Sequence, residues 1–219
     1  LIYKMIKIAP SILAANLLDI KNEVEVVDTA GADLIHIDVM DGRYVPNITF
    51  GTNIISILKL ITKKTLDVHL MITPVLNQVE AFVDAGSDII SFHPEADNDP
   101  FKVINLIKKL NCKCGIAIHP DVEFSSIEKY LELIDNVIVM TVIPGKSGQN
   151  FLENQVHKIS KLKSIQEKKG LNFDIEIDGG ININTAKICK ENGADILVAG
   201  SYIYNKDKTN YKKLIDSLR

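Results

Sequence analysis

Short apolar runs alternate with longer amphipathic segments along almost the whole chain. Each apolar run has the length of a β-strand, and many are unbroken stretches rich in Ile and Val. Such runs are typical of strands that are buried on both faces of a parallel sheet. The pattern predicts eight strands, at residues 6–10, 34–39, 66–71, 88–93, 114–118, 137–142, 174–178 and 195–199.

Most segments between these strands carry the i, i+3/i+4 spacing of a helix with one buried face. The segment with Phe101, Ile104 and Ile107 is an example, and Asn98-Asp99-Pro100 precedes it as a helix cap. Eight β/α alternations in 219 residues, without a Gly/Ser/Pro-rich linker, predict one domain over residues 1–219. We expect a single (β/α)8 TIM barrel. A doubly wound open sheet is the alternative fold.

A short motif recurs before the even-numbered strands. Gly31-Ala32-Asp33, Gly86-Ser87-Asp88 and Gly193-Ala194-Asp195 precede strands 2, 4 and 8, and Asp135 takes the same place before strand 6. The glycine suits the end of a helix, where a positive φ is favoured. We therefore expect the even-numbered strands to enter the barrel in the same way, and we assign no chemistry to this motif.

Charge and cysteine content exclude several classes of protein. The net charge of −3 argues against nucleic acid as the main partner. Cys112, Cys114 and Cys189 are too few for a disulfide framework, and we interpret them as small apolar residues rather than as a thiolate metal site. No segment has the ~18 consecutive apolar residues of a membrane span. We expect no membrane partner and a cytoplasmic location, with an organelle as the alternative.

Histidine and carboxylate side chains collect near the ends of the predicted strands. His36 and Asp38 stand two apart and share a face of strand 2, as Asp67 and His69 do on strand 3. Asp178 ends strand 7, and the same rim receives Ser11, His93, Glu95 and His119. The C-terminal strand ends of a barrel form its active site.

Imidazole and carboxylate groups are costly to bury together unless they bind a metal or take part in chemistry. One such histidine alone is more often a hydrogen-bonded core residue, but several on one rim predict a metal site. Two histidines and two carboxylates suit Zn²⁺, Mn²⁺ or Fe²⁺. Asp67 would lie one layer deeper than His69, either as a partner of a metal ligand or as a buried structural acid.

Glycine-rich loops follow strands 6, 7 and 8, at Gly145-Lys146-Ser147-Gly148, Asp178-Gly179-Gly180 and Gly200-Ser201. Backbone N–H groups in such loops can turn toward an anion, and this side of a barrel commonly binds phosphate. We therefore expect a small phosphorylated substrate. Met40, Met71 and Met140 stand at the ends of strands 2, 3 and 6, where they either fill the core or line the site and shield a carbanion from water.

These motifs, in this order, resemble the ribulose-phosphate 3-epimerase family over the full length of the chain. The matching segments are 8–13, 36–42 with Pro46-Asn47, 67–71, 139–145, 148–151, 178–180 and 199–201. The resemblance implies interconversion of ribulose 5-phosphate and xylulose 5-phosphate in the pentose phosphate pathway. It also implies a homo-oligomer, a dimer or a larger assembly.

The family pattern places one divalent ion, Zn²⁺, Fe²⁺ or Mn²⁺, on His36, Asp38, His69 and Asp178, with no organic cofactor. It makes Asp38 and Asp178 the catalytic acid and base. Substrate contacts are implied for Ser11, His69, Asp178 and the loops at 145–148, 179–180 and 200–201. The sequence departs from the family at one point, since Lys146-Ser147 stand where the family usually has Phe-Gly.

Three alternatives stay open at this point. An epimerase for a related ketose phosphate, such as a hexulose 6-phosphate, would share the motifs. A metal-dependent hydrolase on the same barrel would use the ion to activate water. A phosphosugar-binding module without catalysis would leave two buried acids without a purpose.

Overall fold

Eight parallel strands surround a common axis in the computed structural model, which describes residues 5–219. Every predicted strand is present, within one or two residues of its predicted bounds. The strands are β1 (Lys7–Pro10), β2 (Leu34–Met40), β3 (Thr65–Met71), β4 (Ile89–Phe92), β5 (Lys113–Ile118), β6 (Asn136–Met140), β7 (Asp174–Asp178) and β8 (Ile196–Ala199).

The sheet runs in the order β1-β8-β7-β6-β5-β4-β3-β2, with parallel pairing throughout. Its two ends meet at a parallel bridge between Ser11 and His36, so the sheet curls into a nearly closed barrel. This confirms the predicted TIM barrel. The alternative, a doubly wound open sheet, is wrong because the two edge strands of an open sheet do not meet, whereas β1 and β2 do.

Helices cover the outside of the barrel and bury their apolar faces against the sheet. They are α1 (Ile20–Thr29), α2 (Thr52–Ile61), α3 (Val79–Asp84), α4 (Pro100–Lys109), α5 (Val156–Lys169), α6 (Ile183–Glu191), α7 (Ser201–Tyr204) and α8 (Tyr211–Leu218). Asp99 caps α4 through its side chain, as the sequence predicts. None of the helices in this part of the chain is long and apolar enough to cross a membrane.

The connection between β5 and β6 differs from the predicted alternation, because it contains 3-10 turns in place of an α-helix. Phe124, Ile127 and Tyr130 are buried and recur every three residues, which is the period of a 3-10 helix. The apolar spacing of this segment therefore selects the tighter turn.

The recurring aspartates pair each even-numbered strand with the strand before it. In every case a side-chain oxygen accepts a hydrogen bond from a backbone N–H of the neighbouring strand, and the aspartate's own N–H returns one to the same residue's carbonyl. The eight bonds measure 2.7–3.0 Å and join Asp33 to Ile8, Asp88 to Leu66, Asp135 to Cys114 and Asp195 to Ile175. The expectation that these strands enter alike is confirmed.

The inside of the barrel contains apolar and polar side chains. Ala9, Leu34, Ile89, Ile196 and Val198 form one buried apolar cluster. Alternation along each strand places the residue two positions after Leu34, which is His36, on the same inward face one layer higher. All three cysteines are buried and form no disulfide, which agrees with their structural interpretation. The polar upper layers hold the candidate site.

Candidate active site

Strands β2, β3 and β7 bring four titratable side chains together in the upper barrel. One ligand atom from each of His36, Asp38, His69 and Asp178 lies within 4.8 Å of the others. Asp38 and His69 stand opposite each other in the β2–β3 register. The two histidines lie inside their strands rather than at the ends, because β2 continues to Met40 and β3 to Met71.

The spacing within this cluster suits a single cation. Nε2 of His36 lies 3.4 Å from Asp38 Oδ1 and 3.7 Å from Asp178 Oδ2, and Nδ1 of His69 lies 3.4 and 3.6 Å from the same two oxygens. Two atoms bound tetrahedrally at ~2.1 Å from one ion would be about 3.4 Å apart. Both nitrogens are buried without a hydrogen-bond partner in the protein, which fits atoms whose partner is a cation.

The pKa values of the two carboxyl groups are shifted in opposite directions. Burial would raise the pKa of Asp38, but the charges of His36 and His69 outweigh it and hold that pKa far below its usual value. Burial and the charge of Asp38 both raise the pKa of Asp178. Ser11 Oγ donates to Asp38 Oδ2 at 2.7 Å and so fixes the second oxygen of the ionised carboxylate. These opposite shifts favour a base at Asp38 and an acid at Asp178.

The carboxylates of the cluster favour the protonated, positively charged forms of its two histidines. Burial opposes the charged form of His36, yet Asp38 and Asp67 outweigh it and raise the pKa of that ring well above its usual value. Hydrogen bonds and charges from Asp178 and Asp38 likewise overcome burial and raise the pKa of His69 to about 9. A divalent cation would displace these protons and supply the charge instead.

A second layer of polar side chains lies behind His36. Asp67 Oδ2 is 2.6 Å from Nδ1 of His36. Of the two interpretations of Asp67, this contact favours a partner of the candidate ligand His36 over a purely structural acid. Glu176 Oε1 is 3.2 Å from the same nitrogen, and Asn136 donates to Glu176 at 2.5 Å. Burial and the charge of Asp67 raise the pKa of Glu176 to about 7.

His93, Glu95 and His119 lie beside the cluster and not in it. His93 is fully buried, and burial is the main reason why its pKa falls to about 4. His119 is partly exposed, and its Nδ1 accepts a hydrogen bond from the backbone N–H of Asp121. The rim therefore carries more histidines than a four-ligand site would use.

A cleft of about 280 Å³ opens above the cluster, which is the size of a small-molecule site rather than a groove for a polymer. Asp38 and Asp178 reach its surface, whereas His36 and His69 are fully buried beneath it. The other predicted site residues that line it are Ser11, Met40, Met71, Met140, Gly145, Lys146, Ser147, Gly148, Gly179, Gly180, Gly200 and Ser201.

The glycine-rich loops are held in shape by their neighbours. Gln149 Nε2 donates to the carbonyls of Ile143 and Lys146, and Asn47 Nδ2 donates to that of Gly145. Gly180 has φ +66°, and a Cβ there would lie 2.7 Å from the backbone of Phe151. Only glycine allows the strand-7 and strand-6 loops to approach this closely.

Sequence reasoning missed several residues of the site. Glu176 has the same parity as Asp178 on β7, so the alternation that paired Asp67 with His69 could have found it. Asn182, Asn205 and Lys206 also line the cleft. Their loop positions carry no periodic signal that would place them beside the substrate.

Comparison with known proteins identifies close relatives. The model of the ribulose-phosphate 3 epimerase family matches residues 7–204. A ribulose-phosphate 3-epimerase of Bacillus subtilis is 43% identical over 216 residues, which cover 98% of this chain and 99% of that protein. A chloroplastic ribulose-5-phosphate-3-epimerase of Arabidopsis thaliana is 44% identical over 199 residues, covering 90% and 71%.

A solved structure supports the fold alone. The crystal structure of 3-keto-L-gulonate-6-phosphate decarboxylase from Vibrio cholerae superposes with a TM-score of 0.74 at 16% sequence identity. The superposition covers 98% of this chain and 95% of that one.

Proposed function

Because this chain belongs to the ribulose-phosphate 3-epimerase family and is an isomerase, we propose that it interconverts D-ribulose 5-phosphate and D-xylulose 5-phosphate by cation-assisted proton transfer at C3. The reaction would serve the pentose phosphate pathway. One observation carries the proposal: two buried ring nitrogens without hydrogen-bond partners face two buried carboxyl groups, whose pKa values are shifted in opposite directions, at the floor of a small cleft.

The donor set fits a divalent ion on His36, Asp38, His69 and Asp178, and Zn²⁺, Mn²⁺ and Fe²⁺ all accept such ligands. Removal of the C3 proton of a 2-ketose leaves an enediolate, whose negative charge lies on oxygen. The bound cation would supply Lewis-acid stabilisation of that charge.

Asp38 and Asp178 act as the two proton carriers. Inversion at C3 needs a proton to leave one face of the carbon and another to arrive on the opposite face. The two carboxylates come from β2 and β7 and both reach the cleft, so a substrate between them has one on each side. Asp38 begins as the base and Asp178 as the acid, and they exchange these states with each turnover.

The phosphate occupies the other end of the cleft, against the loops at 145–148, 179–180 and 200–201. Glycines leave backbone N–H groups accessible there, and Lys146 adds a positive charge. Binding the phosphate supplies positioning energy that holds C3 over the carboxylates. Met40, Met71 and Met140 also line the cleft, and their side chains carry no exchangeable proton.

Replacing either carboxylate tests the two-base scheme. We expect Asp38→Asn and Asp178→Asn each to lower kcat by at least ~10²-fold, because each lacks a proton carrier for one face of C3. Each variant should still bind ribulose 5-phosphate. The measurements are epimerisation by coupled assay, substrate affinity by calorimetry, and uptake of solvent deuterium at C3 by NMR.

The exposed Asp121, at the same end of the barrel, provides the matched control Asp121→Asn, which should epimerise at the wild-type rate. Near-wild-type turnover by either buried variant would refute the two-base scheme. A hexulose 6-phosphate assayed in parallel identifies the preferred sugar. Deuterium at C3 without phosphate release distinguishes epimerase from hydrolase.

A further inference from the structure

A row of polar side chains extends from His69 away from the cation cluster toward solvent. His69 Nε2 lies 3.0 Å from His93 Nε2, and both rings are fully buried. On the far side of His93, Nδ1 lies 3.4 Å from Glu95 Oε1, a long contact that leaves this nitrogen without a well-formed hydrogen bond. Tyr44 OH donates to the same Glu95 oxygen at 2.8 Å.

The groups that face each ring nitrogen determine which nitrogen of His69 and of His93 carries the proton. Nδ1 of His69 faces Asp38 and Asp178, and a nitrogen that binds a cation carries no proton. The proton of neutral His69 is then on Nε2, which donates to His93. Nε2 of His93 must accept, so the proton of neutral His93 is on Nδ1, the nitrogen that faces Glu95.

We propose that His93 is a positioning residue, which holds His69 in the tautomer that leaves Nδ1 free for a divalent cation, while the negative charge of Glu95 favours the matching tautomer of His93. This inference rests on the proposed function only for the use of the cation. His69 thereby has the kind of support that Asp67 gives directly to His36, but with an imidazole between the ligand and the carboxylate.

Tyr44, which lies in the loop between β2 and α2, contacts both His93 and Glu95. Its ring stacks on that of His93, with centroids 4.7 Å apart, while its hydroxyl holds Glu95. The loop itself is fixed by Asp41, which accepts hydrogen bonds from the backbone N–H groups of Arg43, Tyr44 and Thr73. Asp41, to which the sequence gives no role, therefore anchors the residue that covers His93.

The competing explanation is that His93 only fills space in the core. Two substitutions distinguish core filling from positioning of His69. His93→Phe keeps the ring volume and removes the acceptor, whereas His93→Gln offers an amide oxygen near the position of Nε2. The matched control is His119→Phe, since the His119 ring lies 6.2 Å from that of His93 and accepts its hydrogen bond from the Asp121 backbone.

The measurements are the dissociation constants of Zn²⁺ and Mn²⁺ by chelator competition, and the protonation of ring nitrogens by ¹⁵N NMR of the Zn²⁺-loaded protein. We expect His93→Phe to weaken cation binding roughly 10–100-fold. His93→Gln and His119→Phe should stay within a few-fold of wild type. In the wild-type protein, NMR should find the proton on Nε2 of His69 and on Nδ1 of His93.

The kinetic constants should also distinguish a positioning role of His93 from a catalytic one. At saturating Mn²⁺ we expect His93→Phe to recover most of its kcat with an unchanged KM for ribulose 5-phosphate, because His93 does not line the cleft. If His93→Phe fails to fold, Glu95→Leu tests the half-exposed end of the row, with Glu95→Gln as its conservative partner.

Cation affinity of His93→Phe equal to wild type, or a proton on Nδ1 of His69, would overturn the inference while leaving epimerase activity untouched. Weaker cation binding by His93→Phe, found together with a wild-type protein that binds the cation but does not epimerise, would instead refute the proposed function and support the inference. A wild-type chain that binds neither cation would overturn both.

Discussion

At the scale of single residues, the cleft is electrically polarised along its length. The carboxylates of Asp38 and Asp178 form one end, and Lys146 and Lys206 are its lining cations. The chain as a whole has a net charge of −3, so its overall field does not attract an anion. Binding of a phosphorylated sugar therefore depends on these local positive charges and on the loop N–H groups.

Lys146 replaces an aromatic residue that is usual in the family, and its effect should be confined to binding. We expect Lys146→Ala to raise KM for ribulose 5-phosphate roughly tenfold, equivalent to ~1.4 kcal/mol, and to lower kcat much less. The backbone of Lys146 stays in place because Gln149 holds its carbonyl. Steady-state kinetics at two salt concentrations measure the effect, which should shrink at high salt.

The exposed Lys187 on α6 provides the control variant Lys187→Ala, which removes the same charge away from the cleft. KM values that are equal for Lys146→Ala and wild type would show that this side chain does not contact the phosphate.

Alternation along a strand explains how far the sequence predicts the site. It correctly groups His36 with Asp38 and Asp67 with His69, because side chains two apart share a face whatever the packing. It does not say which ring nitrogen faces the cluster, since that depends on partners from other strands. Glu176 was within reach of the same rule and was overlooked.

At the scale of elements, strands were more predictable than their connections. A run of Ile and Val buried on both faces is recognisable without knowledge of its neighbours. The β5–β6 connection is the exception among the connections, because its buried Phe124, Ile127 and Tyr130 recur every three residues, a 3-10 period in place of the predicted helical one.

The aspartate pairings make a testable contribution to strand association. Asp135→Ala leaves the buried backbone N–H of Cys114 without its side-chain acceptor, and we expect a loss of ~1–3 kcal/mol in the free energy of unfolding. Asp135→Asn keeps an acceptor oxygen and should lose clearly less. Urea denaturation followed by circular dichroism provides both values. Equal losses in the two variants would attribute the effect to charge instead of to the hydrogen bond.

At the scale of the whole molecule, the candidate ligands connect distant parts of the chain. His36 and Asp38 belong to β2, His69 to β3 and Asp178 to β7, and β7 is separated from β2 in sequence by most of the barrel. A cation on these four side chains would join strands whose contacts otherwise form only when the sheet closes. Cation binding and closure of the barrel should therefore be linked.

We expect a cation at 100 times its dissociation constant to add ~2.7 kcal/mol to the free energy of unfolding, which corresponds to a rise in Tm of about 5–10 °C. The cation displaces protons from His36 and His69, whose pKa values are raised, so at a fixed cation concentration the gain should grow as pH increases from 6 to about 9. Calorimetry with and without EDTA provides the measurement.

The variant His36→Ala, which lacks one ligand, should show little response to the cation at any pH. A wild-type gain that is independent of pH would contradict proton displacement, and an equal gain in His36→Ala would place the cation elsewhere.

The four aspartate pairings divide the barrel into equivalent quarters, and this symmetry assigns a counterpart to every site residue. Counting from each pairing, the position of His69 on β3 corresponds to Ser11, Ala117 and Asp178, and the position of Asp38 on β2 corresponds to His93, Met140 and Gly200. One regular frame thus presents a different functional group at each repeat. The β5–β6 quarter presents only Ala117, which is buried in an apolar cluster, and Met140, which lines the cleft. Met140 is therefore the place where a new reactive group would face the substrate while the four candidate ligands stay intact.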